Sequence, residues 1–179
     1  TIVFLTLYFR IDTVMLAFMK GFQDTGWYNA ALKIIEVITR IPFLLNIAVF
    51  PALSRLSMLS RDKTMFLYKK SFYYMVMLAL PITTGLILLA DRIILYFYSA
   101  GFSSSIIALQ ILAGTLGFVF VNYLMGYLLI AIDKQKLFTL STAITTILNN
   151  ILNLLLIPKY SYIGAAYATL ISEIVNFAM

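Results

Sequence analysis

Residues 28–57 read YNAALKIIEVITRIPFLLNIAVFPALSRLS, an apolar run of about 30 residues that holds Lys33, Glu36 and Arg40 in its interior. A helix of that length measures about 45 Å, against a hydrocarbon core of about 30 Å. Spacings of three and then four put the three charges on one helical face. Pro42 follows at once; it removes a backbone hydrogen bond and bends a helix. Charges inside a span are expensive in lipid and normally face a bundle interior or a wet cavity. The stretch therefore predicts a kinked membrane helix with a functional charged stripe, and the flanking segments read as the helices that hold it.

Outward from it, the chain keeps the same character. Hydrophobic residues make up 63% of the 179 and charged residues only 11%, which places the chain among integral membrane proteins. The spacing of apolar runs and polar turns predicts an all-α polytopic membrane protein. Its helices fall at about 1–19, 28–57, 71–90, 105–132, 137–157 and 163–179, in a single membrane domain. The first run is interrupted by Arg10 and Asp12, two residues apart and so on different faces. Arg55–Lys70 reads as a basic loop and 93–102 as a short interfacial segment. Ala113, Gly114, Gly117 and Gly126 offer close helix approach. Both termini read as mid-helix, which predicts a piece of a longer protein without a signal peptide.

Orientation follows from the positive-inside rule. With the first helix running outward, the inner segments 55–70 and 133–136 carry seven Lys and Arg (55, 61, 63, 69, 70, 134, 136). The outer ones carry Lys20, Arg92 and Lys159. The net charge of +6 is thereby explained by loops, with no nucleic acid required. The chain has no Cys and no His, and no phosphate-binding Gly-rich loop or nucleophile–base pairing is visible. No enzyme, metal site or cofactor is expected.

In the stripe, two cations face one carboxylate. Either Glu36 pairs with a neighbour and the stripe only packs, or the surplus positive charge takes an anionic ligand. Arg10 can add a cation from the adjacent helix. Arg suits bidentate phosphate binding and Lys acts as a point charge, so a diphosphate is the expected anion, with Arg10, Lys33 and Arg40 as the cavity candidates. Asp12 and Glu36 read as counter-ion or coupling carboxylates. Pro42, Pro81 and Gly85 are hinge candidates, with static kinks as the plainer reading. Asn149, Asn150 and Asn153 read as glue between helices.

Several blocks carry a resemblance: YFRIDTVML (8–16), 26–57, LALPITTGLILLADRIILYFYSAGF (78–102) and NLLLIPKYSYIGAAYATLISE (153–173). They resemble the polysaccharide biosynthesis family, the Wzx-type oligosaccharide flippases of the MOP exporter superfamily, whose fold is MATE-like. The resemblance implies a transporter of two six-helix lobes, of which this chain is most of the C-terminal lobe, from the seventh helix into the twelfth. It implies a polyprenyl-diphosphate-linked oligosaccharide as substrate, moved across the cell membrane by alternating access for surface polysaccharide biosynthesis. The N-terminal lobe of the same protein and membrane lipid are the implied partners. A cation-coupled multidrug exporter shares the architecture, but acidic cavity residues are expected there and the excess read here is basic. A non-transporting membrane scaffold for glycan assembly is the remaining alternative.

Overall fold

Leu109, Leu112, Leu116, Phe120 and Leu124 recur every three or four residues and are buried, and the bundle forms around this stripe. The computed structural model describes residues 11–179, which fold into helices with no strand among them. They are α1 (Ile11–Lys20), α2 (Phe22–Leu59) and α3 (Arg61–Tyr98), a 3-10 turn (Ala100–Phe102), α4 (Ser105–Ala113), α5 (Leu116–Ala131) and α6 (Gln135–Ala178). Against the central stripe pack Tyr28, Ala31 and Ile35 of α2, Met75, Ala79, Leu86 and Ala90 of α3, and Ala165 and Ala166 of α6. The repeated alanines let helices close on one another without a hydrophobic drive, which lipid does not supply. Outward on α3, Tyr73, Leu80 and Leu88 are exposed, an apolar surface suited to lipid.

The basic segment 55–70 is helical on both sides of one residue rather than a loop. Ser60 alone breaks the chain: it is extended at φ −163, and its hydroxyl accepts from the Lys63 backbone N–H at 3.5 Å. Asp62 in the first turn suits the positive helix end. Lys and Arg end the hydrocarbon slab without ending a helix, because both are good helix formers. Likewise Asp91 and Arg92 are exposed mid-helix and α3 continues to Tyr98. Each 38-residue helix is about 57 Å long and outruns the membrane.

The segment 105–132 is bent by 43° between α4 and α5. The Thr115 N–H donates to Leu112 O at 3.0 Å, a tightened turn at Gly114–Thr115. Close approach at small residues is found at Gly126, where the Phe138 ring lies over the backbone; Gly117 faces open space.

α6 is two helices. A straight helix of 44 residues would be about 66 Å long. Ser161, at φ 52 and ψ −133, reverses the chain. Side-chain pairs close on that point: Ser141 Oγ donates to Asn176 Oδ1 at 2.8 Å and Asn149 Nδ2 to Ser172 Oγ at 3.2 Å. The halves, residues 135–160 and 162–178, thus run antiparallel, where helices at 137–157 and 163–179 are expected from the sequence. Pro158 loosens the end of the first half. The left-handed Ser161 is held by its hydroxyl donating to the Asp24 carboxylate at the start of α2.

Trp27 completes this rim. Its indole N–H donates to Gly101 O at 3.2 Å and its ring meets Tyr162 edge-on at 5.5 Å. Trp27→Ala removes both contacts and is expected to cost about 1–3 kcal/mol, while Trp27→Phe loses the hydrogen bond alone and costs about 0.5–1.5 kcal/mol. Thermal unfolding of the full-length protein in detergent orders the two; equal losses would show that the ring contact contributes nothing.

Candidate functional site

A cavity of about 740 Å³ opens between α1, α2, the α4–α5 bend and both halves of α6. Its position follows from three polar faces. On α2, Glu36, Thr39 and Arg40 fall on one side, beyond the buried Tyr28 and Ile35. On the first half of α6, Thr142, Thr145, Thr146, Asn149 and Asn150 recur at helical spacing and line the opposite wall. Thr169, Ser172, Glu173 and Asn176 form a matching stripe on the second half.

The carboxylates are held by neutral donors or by a lysine. Tyr28, fully buried, donates its hydroxyl to Asp12 Oδ2 at 2.6 Å, and the Thr13 N–H donates to Asp12 Oδ1 at 2.8 Å. Asn122 Nδ2 donates to Glu173 Oε2 at 2.7 Å. Lys33 Nζ pairs with Glu36 Oε2 at 2.9 Å. Tyr123 stands within electrostatic reach of both Glu173 and Arg40.

Of the sequence candidates, Asp12, Glu36 and Arg40 meet in this cavity. Lys33 does not line it: its side chain is 54% exposed, beside the wall and bound to Glu36. The pairing weighed as the packing alternative for the stripe therefore occurs for Lys33, and Arg40 is left as the cation on the cavity side. Arg10 lies outside the described residues. Pro42 is buried inside α2 next to the cavity-lining Phe43, and its carbonyl accepts from Asn46 Nδ2 at 2.7 Å. Pro81 is exposed within α3, and Gly85 has no atom within 4 Å of where a Cβ would stand. Neither touches the cavity.

The basic excess read from the sequence is not what lines the cavity. Among the described residues the lining holds Asp12, Glu36 and Glu173 against Arg40. The loop lysines and arginines that set the net charge lie elsewhere. Glu173, Tyr123 and the Thr/Asn ladder were missed as site residues. The signal was present in the ladder, because Thr142, Thr145, Thr146, Asn149, Asn150 and Asn153 share one helical face. The Asn residues act both ways. Asn149 bonds Ser172 and Asn153, as glue, and Asn149 and Asn150 also face the cavity.

Residues 28–179 match the family model described as lipid II flippase MurJ. A probable low-salt glycan biosynthesis flippase of Haloferax volcanii, Agl15, is 25% identical over 170 residues, covering 94% of this chain and 36% of that protein. An uncharacterised membrane protein of Methanocaldococcus jannaschii is 26% identical over 161 residues, covering 89% of this chain and 32% of that one. The chain thus spans about a third of the length of the curated relatives it matches. In fold it is similar to a multidrug resistance MATE family transporter of the MOP superfamily in an outward-facing conformation. The TM-score is 0.87 at 18% identity, over 97% of this chain and 39% of that one.

Proposed function

The chain belongs to the lipid II flippase MurJ family, and from that membership we propose that it is one lobe of a transporter moving a polyprenyl-diphosphate-linked oligosaccharide across the cell membrane. The observation that carries the reading is a cavity lined by charged, Thr and Asn side chains as well as apolar ones, inside a bundle whose outer face is apolar. A lipid-linked glycan has that division, with a hydrophilic head that needs shelter and a tail that stays in the bilayer. Arg40 is assigned to the diphosphate, with Arg10 as a second cation and Lys33 acting through Glu36. Asp12 and Glu36 serve as counter-ion or coupling groups. The N-terminal lobe supplies the facing wall, and the lobes rock between inward- and outward-open states. Pro42, inside a helix that lines the cavity, is the best placed of the three hinge candidates. The end bearing Arg55–Lys70 and Lys134–Lys136 faces the cytoplasm.

Depletion of the full-length protein, followed by lipid mass spectrometry, tests this. A polyprenyl-diphosphate glycan is expected to accumulate in the cytoplasmic leaflet. Unchanged lipids together with unchanged surface polymer, in cells lacking a second flippase, would overturn the assignment. The carboxylates in the cavity favour one other reading, a cation-coupled multidrug exporter. Its mark is increased sensitivity to organic cations on deletion.

A further inference from the structure

The cavity wall has a hydrogen-bonding polarity that its net charge does not convey. A hydroxyl has a single proton to donate, and once that is committed it offers only lone pairs. Thr39 donates to Glu36 O at 2.9 Å, Thr115 to Leu112 O at 2.6 Å and Thr142 to Phe138 O at 2.9 Å. Thr169 donates to Ala165 O at 3.1 Å and Ser172 to Ala168 O at 2.7 Å. All five line the cavity, and all five protons point into the helix backbone. Asp12 and Glu173 add carboxyl groups, whose described partners, the Tyr28 hydroxyl and the Asn122 amide, are neutral. The Asn149 amide commits one of its two N–H donors to Ser172 and keeps the other. Among the described residues the donors the wall keeps are the Arg40 guanidinium, the Tyr123 phenol and the remaining N–H groups of Asn149, Asn150 and Asn176.

We infer that this wall takes the glycan of the substrate and selects sugars rich in hydrogen-bond donors and free of negative charge. The inference rests on the flippase reading and deepens it by naming the substrate class. Neutral sugars present O–H donors to the Thr and Ser oxygens, and amino or acetamido sugars add N–H donors to Asp12 and Glu173. A uronic acid or sulfated sugar brings a second set of acceptors and a like charge into a site with one described cation. Each mismatch of that kind is costly where water is scarce. The diphosphate, itself acceptor-only, belongs at the Arg40 side.

The test uses the full-length protein in proteoliposomes with two fluorescent polyprenyl-diphosphate trisaccharides. One is built of neutral N-acetylhexosamines, and the other has one residue replaced by a glucuronic acid. The rate at which each label becomes protected from a membrane-impermeant quencher is measured. The neutral glycan is expected to flip at least about tenfold faster, the ratio produced by about 1.4 kcal/mol of discrimination. In Glu173→Gln the ratio is expected to fall toward one, because a carboxyl oxygen is replaced by a donor amide and the shape is kept. Thr142→Val, which keeps shape and loses the oxygen, is expected to slow the neutral glycan, and Thr142→Ser to restore it. Equal rates for the two glycans in wild type, or a faster acidic one, would overturn the inference and leave the flippase reading standing. If neither glycan is flipped while an organic cation is exported, both readings fall together.

Discussion

Gly164→Ala is expected to remove most of the folded protein. A Cβ built on Gly164 would lie 2.4 Å from Leu156 O, 2.6 Å from Leu156 C and 3.1 Å from Ile157 N. All three are backbone atoms of the opposing half of α6, so no rotamer change relieves the overlap. The halves must separate at the reversal, and Ala165 and Ala166, both fully buried, move with them. Overpacking of a well-filled site costs roughly 1–3 kcal/mol, and a backbone clash falls at or beyond the upper end of that range. The measurement is the thermal midpoint and monodisperse yield of the full-length protein in detergent. Gly85→Ala is the control: nothing lies near its Cβ, and in a helix interior the change is expected to stabilise by about 0.5–1 kcal/mol. Indistinguishable midpoints for the two variants would refute the close approach at Gly164. Intact transport by Gly85→Ala would also remove Gly85 from the hinges.

Arg40→Ala is expected to cut glycolipid flipping about 10–100-fold, the equivalent of one charge-assisted hydrogen bond worth about 1.5–3 kcal/mol. Lys33→Ala is expected to lower it only a few-fold, because Lys33 reaches the site through Glu36 rather than through the cavity. Arg40→Lys keeps the charge and loses the fork, so it should recover part of the rate. Proteoliposome flipping at matched protein amounts separates these cases. Equal losses for Lys33→Ala and Arg40→Ala would mean that the stripe acts as one cationic surface. An intact rate for the double variant would remove the stripe from substrate binding altogether.

How far the sequence carried the fold depends on what each pattern reports. Hydropathy reports where lipid is, and among the described residues its apolar runs are helical. It does not report where a helix stops. Arg55–Lys70 left the hydrocarbon but kept helical propensity, and only Ser60 interrupts it. A turn between the helices at 137–157 and 163–179 was legible, but its reduction to one left-handed residue depends on Asp24, 137 positions away. For the site, periodicity within α2 puts Glu36 and Arg40 on one face, and both line the cavity. It could not show that Lys33 lies at the edge of that face, where the lysine stem reaches sideways to Glu36. The sign of the cavity was misread for a similar reason. Lys33 was counted toward the cavity and lies beside it, whereas Glu173 arrives from a helix whose charge was not counted.

The reversal at Ser161 also bears on how the chain enters the membrane. Thr142, Thr145, Thr146, Asn149, Asn150 and Asn153 make one stripe of the first half, and Thr169, Ser172, Glu173 and Asn176 make one of the second. Either half alone in lipid would strand its stripe against hydrocarbon, where unmatched polar groups are costly. A connection of a single residue leaves no length for one half to settle before the other follows. The two halves therefore match their stripes only as a paired hairpin, with Ser141–Asn176 and Asn149–Ser172 as its rungs.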